Sequence, residues 1–318
     1  MFVTDSLPER AKSILSGFEI FEKSASDEDL ARCEALICWP SRAKRDLLEK
    51  MGNLKMVQTL SAGVDVLDFA AIPKGAQVFS NAGAYTENVA EHAWGLLLGV
   101  AKGIHVRNQK TTPRRLRGKT LLVVGCGAIG SEVARLAKSI DMTVVGVSRS
   151  FRSPELFRER LPLSGLQDAI ARADAAVITL PFTKKTRGVV DYNVLSGAKD
   201  TAIVVNVGRG ETVSEEGLIR WLKERPESRY ATDVFWLRDG RESFATAAWE
   251  LPNFTGTLHV SGVPLGESLA GVKVEAARNV KRFFESGNAI NPVDVDEYVW
   301  NRTRTPKRLN TRRGGRAE

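Results

Sequence analysis

The stretch Thr120–Gly130, TLLVVGCGAIG, decides the architecture of this chain. Its first half is a run of apolar and β-branched residues with the composition of a strand buried on both faces. Gly125, Gly127 and Gly130 then form G-x-G-x-x-G, and Ile129, Val133, Leu136, Ala137 and Ile140 follow at the spacing of a helix that lays one face on a sheet. The three glycines allow a tight turn and bring a pyrophosphate close to backbone amides at the helix N-terminus, where the dipole favours negative charge. With the second strand, TVVGVS at 143–148, this makes a dinucleotide-binding unit whose cradle includes Ala128 and Ile129. Cys126, inside the loop, reads as a small filler rather than a nucleophile.

The second strand ends eighteen residues after Gly130, at Ser148, where an NAD site usually carries an acidic ribose ligand. A carboxylate there would repel a 2′-phosphate. Ser148 offers a hydrogen bond instead, and Arg149 or Arg152 can make charge-assisted bonds to that phosphate. The expected cofactor is therefore NADP(H) in preference to NAD(H); the alternative is a solvated loop indifferent to the two.

Outward from this unit, the alternation continues. AAVITLP, AIVVNVG, YATDVF and TGTLHV supply further strands towards the C-terminus. Towards the N-terminus, FVT, FEIF, ALICW, KMVQTL and AQVFSN are separated by polar segments long enough for helices, which argues for a second parallel α/β sheet. A long apolar helix over about 88–104 and a polar connection over 105–119 join the two halves.

Composition agrees with two domains: 318 residues, 43% of them hydrophobic, suffice for two cores. No apolar run reaches the ~20 residues of a membrane span and no secretion signal opens the chain, so a cytoplasmic protein is expected. Cys33, Cys38 and Cys126 are an odd set without metal spacing, so neither a disulfide framework nor a metal site is expected. Of the net charge of +8, residues 301–318 carry +6, which leaves +2 for the rest. That tail reads as a flexible, solvated extension, and nucleic-acid binding is not expected.

The ordered motifs LSAGVD (60–65), NAGAYTENVAEHA (81–93), GCGAIG (125–130), LPFTKKTRGVV (180–190), VNVGRGETV (205–213) and LPNFTGTLHVSG (251–262) resemble those of the D-isomer-specific 2-hydroxyacid dehydrogenases, which include glyoxylate/hydroxypyruvate reductases and phosphoglycerate dehydrogenases. The resemblance runs from about 35 to 298. It implies an α/β fold of two doubly wound parallel-sheet domains, with a Rossmann cofactor domain (91–264) inserted into a flavodoxin-like substrate domain (1–90, with 265–300 returning to it). It also implies a homodimer, although the connection at 105–118 is short and lacks the family's usual Gly-x-Trp segment.

For the site, the resemblance implies Arg209 and His259 as the catalytic pair. Arg209 would bind a 2-oxo acid's carboxylate and polarise its oxo group, and His259 would deliver the proton; on spacing alone Arg209 could equally form a structural salt bridge. Ser61, Ala62, Gly63 and Val64 would present backbone amides to the carboxylate, with Tyr85 lining the cleft. Leu180, Pro181, Thr186, Val207, Asp233 and His259 join the cofactor's surroundings, Asp233 at the nicotinamide carboxamide or else merely capping a turn. His92 reads as structural and His105 as exposed. The activity implied is NADP(H)-preferring reduction of small 2-oxo acids such as glyoxylate or hydroxypyruvate. The alternatives are an NAD-dependent D-2-hydroxyacid dehydrogenase of other specificity and a dinucleotide-sensing binding protein with little turnover.

One departure stands out. Relatives place a Glu five residues after the equivalent of Asp233, where it holds the catalytic His; here that position is Arg238. Either Asp239, Glu242 or Glu250 reaches His259 through a rebuilt loop, or the imidazole works without a carboxylate partner. The expectation adopted is the second, because Trp236 and the altered loop suggest a rebuilt segment.

Overall fold

The computed structural model describes residues 1–106, 111–262 and 269–298. The basic tail at 301–318, together with 107–110 of the connection and the return at 263–268, lies outside the described residues.

The first half alternates β1 (Phe2–Val3), α1 (Glu9–Ile14), β2 (Phe21–Glu22), α2 (Asp27–Arg32), β3 (Ala35–Cys38), α3 (Arg45–Lys50), β4 (Met56–Thr59) and β5 (Gln77–Phe79). The strands pair in parallel in the order β2-β1-β3-β4-β5. The second half follows α4 (Thr86–Lys102) with β6 (Thr120–Cys126), α5 (Ala128–Ser139), β7 (Thr143–Phe151), β8 (Glu159–Leu161), α6 (Leu166–Arg172), β9 (Ala175–Ile178), α7 (Tyr192–Ser196), β10 (Ile203–Asn206), α8 (Glu215–Glu224) and β11 (Arg229–Thr232). A small hairpin, β12 (Leu237–Arg238) and β13 (Arg241–Glu242), precedes β14 (Phe254–Gly256) and the last helix, α9 (Ala270–Ser286). The larger sheet is parallel throughout, in the order β14-β11-β10-β9-β6-β7-β8. Five of its seven strands coincide with the apolar runs of the sequence. The run TGTLHV is strand only at Thr255–Gly256, within β14, and continues as the loop carrying His259. β8 is a short edge strand of sequence ERL, too polar to stand out.

The unbroken apolar run of β6 follows from burial on two sides. Leu122 and Val124 face a core built with α6 and α8, whereas Leu121 and Val123 face one built with α4 and α5. The smaller sheet is covered likewise, by α1 and α9 on one face and by α2 and α3 on the other. Helix α4 begins at Thr86, and its Val89, Ala90 and Ala93 already belong to the core of the larger sheet, while Tyr85 packs against both halves. The chain thus crosses between the sheets at about Tyr85–Val89. Among the described residues, no helix is long and apolar enough to cross a membrane.

In the larger sheet the order of strand addition reverses between β6 and β9, and ligands of such sheets bind beyond the strand carboxyl ends at that point. The loops leaving β6, β9 and β10 meet there the loops leaving β4 and β5 of the smaller sheet, around a cleft of about 320 Å³.

The turn after β6 is tightly constrained. Gly125 has φ +100°, and a Cβ on Gly130 would stand 2.0 Å from the Gly125 carbonyl oxygen. Gly130→Ala is therefore expected to destabilise the protein by about 1–3 kcal/mol. Gly127→Ala, whose added Cβ meets nothing within 4 Å, should stay within about 0.5 kcal/mol. Chemical denaturation of the two variants checks the contrast; equal losses would refute it.

Candidate active site

Helix α5 starts directly at the cleft, with Gly127 as its N-cap and no side chain capping it. Gly127, Ala128, Ile129 and Gly130 line the cleft together with Leu180, Pro181 and Val207. The empty space in front of Gly127 is what a side chain there would fill, so this turn fits a dinucleotide pyrophosphate. Thr186 acts from behind: its hydroxyl donates to the Pro181 carbonyl at 2.6 Å and accepts from the Thr183 N–H at 2.8 Å, which fixes the loop carrying Leu180 and Pro181. Cys126 is buried, which pushes its thiol up to about 12, and it takes no part in the cleft surface.

Strand β7 does not end at Ser148 as expected but runs on to Phe151; Ser148 is half-buried within it, and the two arginines diverge. Arg149 lines the cleft, whereas Arg152 faces a separate polar groove with Glu87, Glu132 and Glu275. The Arg149 guanidinium is paired with Glu297, a residue from the far end of the chain. Glu297 also accepts from Lys185 Nζ at 3.0 Å. Burial opposes its charge, but Lys185 and Arg149 outweigh burial and hold the carboxyl below the usual range.

Arg209 leaves β10 through a loop organised by Asn206. The fully buried Asn206 side chain accepts from the Gly208 N–H at 3.0 Å and donates to the Arg209 carbonyl at 3.0 Å. Arg209 Nε donates to Asp65 Oδ1 at 3.0 Å, and Nη1 donates to the Gly208 carbonyl at 2.8 Å. Burial disfavours the guanidinium's charge, yet Asp65, with Glu242 and Glu211 beyond it, raises its pKa above the ordinary arginine value. The remaining nitrogen, Nη2, lies against Gly63, where a Cβ would come within 1.5 Å of it. The loop around Gly63 is itself fixed: Ser61 Oγ donates to the Gly63 carbonyl at 2.6 Å, and Tyr85 Oη donates to the Leu60 carbonyl at 2.8 Å. Ala62, Gly63, Val64 and Tyr85 all line the cleft.

His259 sits on the loop after β14 with left-handed backbone, φ +55°. Asp233, fully buried at the end of β11, organises that loop. Its Oδ1 accepts from Thr257 Oγ1 at 2.6 Å and from the Val260 N–H at 2.9 Å, and its Oδ2 accepts from the Ser261 N–H at 3.0 Å. What the structure shows of Asp233 is thus a brace beneath the loop that carries His259. His92 reinforces it from α4, with Nε2 2.7 Å from Thr257 Oγ1 and 3.6 Å from Asp233 Oδ1.

The expectation of an unpartnered imidazole is overturned. His259 Nδ1 lies 2.5 Å from Glu242 Oε2. The hairpin explains how Glu242 arrives: Asp239 and Gly240 both have positive φ, the geometry of a tight two-residue turn, and they fold β13 back so that Glu242 stands opposite Leu237. Glu242 Oε1 accepts from the Phe235 N–H at 2.7 Å, which anchors the carboxylate on the rigid end of the sheet. Arg238, at the position of the family's Glu, turns away and pairs with Glu215. Asp239 occupies the exposed turn, and Glu250 is exposed elsewhere.

Two residues of this cleft were not singled out by sequence reasoning. Asp65 stands in the quoted LSAGVD motif, and only its ion pair with Arg209 gives it a role. Glu297 had no local signal, since it meets Arg149 across 148 positions of sequence.

Comparison with known proteins agrees with this geometry. A family profile described as D-isomer specific 2-hydroxyacid dehydrogenase, NAD binding domain, matches residues 76–261. A D-3-phosphoglycerate dehydrogenase of Methanocaldococcus jannaschii is 29% identical over 80% of this chain, which spans only 50% of that relative's length. A glyoxylate reductase of Pyrococcus furiosus is 28% identical over 89% of this chain and 91% of its own. Among solved structures, a Pyrobaculum aerophilum protein provisionally assigned as a formate dehydrogenase superposes with a TM-score of 0.80 at 32% identity, covering 94% of this chain and 99% of that one. The profile spans more than half of the chain, and with the glycine cradle and the arginine after β10 on one cleft and a carboxylate-held histidine on the loop after β14, the chain belongs to the D-isomer specific 2-hydroxyacid dehydrogenase family.

Proposed function

We propose that the protein reduces small 2-oxo acids, with glyoxylate and hydroxypyruvate as first candidates, to D-2-hydroxy acids, using NADP(H) in preference to NAD(H). The observation that carries this reading is the contact between Glu242 and His259, with Arg209 close enough for Glu242 to support its charge. A binding protein that only senses a dinucleotide has no use for a proton donor with its own carboxylate. The glyoxylate reductase relative supports the choice of first substrates.

Each residue has a chemical task in this reading. A reduced nicotinamide bound in the cleft would supply the hydride. Arg209 binds the substrate carboxylate through its outer edge and draws electron density from the oxo oxygen. His259 gives its proton to that oxygen as negative charge develops there. Glu242 fixes the imidazole with the proton on Nδ1, so that Nε2 is the nitrogen turned to the substrate. Asp233 and His92 hold the loop, and hence the histidine, in place. Ser148, a hydroxyl where a carboxylate would repel it, admits a 2′-phosphate beside Arg149.

The reading is tested with a panel of 2-oxo acids, following oxidation of NADPH and of NADH. Turnover is expected with glyoxylate or hydroxypyruvate, and one charge-assisted bond to the 2′-phosphate corresponds to roughly 10- to 150-fold in kcat/KM for NADPH. Ser148→Asp should abolish that preference. Absence of turnover across the panel would return the protein to the binding-module reading.

Glu242→Gln keeps the shape but loses the charge behind His259. It should lower kcat by about 10²- to 10³-fold while leaving NADPH affinity unchanged. Asp239→Asn and Glu250→Gln should behave like the unmodified protein, and a collapse in either would reassign the histidine's partner.

Gly63→Ala places a methyl group where Arg209 Nη2 lies. Since only the end of a flexible side chain must move, the fold should survive, but a displaced guanidinium should raise the KM for the oxo acid and lower kcat, as should Arg209→Lys. Unchanged oxo acid kinetics in both variants would remove Arg209 from substrate binding.

A further inference from the structure

The segment Pro292–Tyr298 after α9 forms a strap between the two halves of the molecule. Its attachment to the smaller sheet is through backbone and apolar contacts. Pro292 bridges Phe79, the Val293 N–H donates to the Val78 carbonyl at 2.8 Å, and Tyr298 stacks on Phe69 with ring centroids 5.1 Å apart. Its attachment to the larger sheet is polar. The Lys184 N–H donates to the Glu297 carbonyl at 3.0 Å, Lys184 Nζ donates to the Asp296 carbonyl at 2.8 Å, and Lys185 and Arg149 both pair with the Glu297 carboxylate.

Glu297 therefore brings a carboxylate to Arg149, next to Ser148, the position in β7 that lacks one. We propose that Glu297 is a cofactor-discriminating residue, a carboxylate supplied by the C-terminal strap that competes with the 2′-phosphate of NADP(H) for Arg149. The proposal rests on the reading of Ser148 and Arg149 as the 2′-phosphate site.

The competition is feasible because the two partners of the pair differ in their surroundings. The Arg149 side chain is 73% exposed and that of Glu297 only 9%. A pair with one member so exposed gains little in water and exchanges readily for a stronger anion. When Arg149 turns to a phosphate, Glu297 keeps Lys185, so its buried charge is never left alone. A ribose hydroxyl offers Arg149 no net charge and gives it no reason to leave. NADPH must thus displace the carboxylate and then tolerate it nearby, whereas NADH meets neither cost.

The consequence is measurable without turnover, from the fluorescence of bound NADPH and NADH and from calorimetric competition between 2′-AMP and 5′-AMP. Glu297→Gln should tighten NADPH and 2′-AMP by about 10-fold and leave NADH and 5′-AMP within about 2-fold. In an Arg149→Gln background the same substitution should give no gain, which closes a double-mutant cycle on the pair. Equal tightening of both cofactors would overturn the proposal in favour of a strap that obstructs any dinucleotide. Weaker NADH binding in Glu297→Gln would overturn it in favour of a ribose ligand. If Arg149→Gln weakens NADPH but Glu297→Gln changes nothing, the competition alone fails. If Arg149→Gln leaves NADPH unaffected, the 2′-phosphate site at Arg149 fails and the proposal with it.

Discussion

The carboxylate of Asp233 is wholly shielded from solvent and accepts hydrogen bonds from Thr257, Val260 and Ser261, and the placement of the loop that carries His259 depends on that arrangement. A buried carboxylate is tolerable only when its lone pairs are filled, so the loop that follows β14 has little freedom. The left-handed backbone at His259 is held by this loop, with the His259 N–H bonded to the Asp233 carbonyl at 2.9 Å. His92 fixes the hydroxyl of Thr257 from the opposite side. The imidazole is consequently delivered from a rigid base, although its own side chain is 41% exposed.

The hairpin β12–β13 complements that base. Phe235 is the hub of an aromatic cluster with Phe244, Trp249 and Phe254, and its backbone N–H holds one oxygen of Glu242 while the other meets His259. The indole of Trp236 donates to the Val213 carbonyl at 2.8 Å and ties the same segment to the loop after β10. The segment was rebuilt, as its altered sequence suggests, but the rebuilding restores the carboxylate from a different position. Glu242 holds the place beside the histidine, and Arg238 pairs instead with Glu215 at the start of α8.

Legibility in the sequence followed the physics of each feature. Strands buried on both faces, such as β6, β9 and β10, leave continuous apolar runs, and the glycine turn before α5 leaves a fixed spacing. These made the two-sheet α/β architecture readable. Edge strand β8 has one neighbour and a polar composition, so it left no trace. Glu242 was one of three candidates, and the discriminating signal was present in Asp239-Gly240, a dipeptide suited to a tight hairpin turn that would fold the chain back after two residues. Glu297 could not be found locally, because its role arises only when the end of the chain crosses the cleft.

The ion pairs that span the cleft share a polarity. Arg209 and Arg149 belong to the larger sheet, and their partners Asp65 and Glu297 to the smaller one or the strap attached to it. The contacts across the cleft at these points are therefore between cations of one half and anions of the other. An anionic ligand entering the cleft offers the arginines a new partner, and it need not break a buried apolar interface to reach them. Arg209, with Asp65 on Nε and Gly208 on Nη1, has its outer edge at Nη2 turned towards the Gly63 loop, so it can add a carboxylate while keeping its pair. Arg149, whose pair is solvent-exposed on one side, has to exchange. On the proposed reading the same cleft treats its two anion positions differently, adding a ligand at Arg209 and replacing one at Arg149.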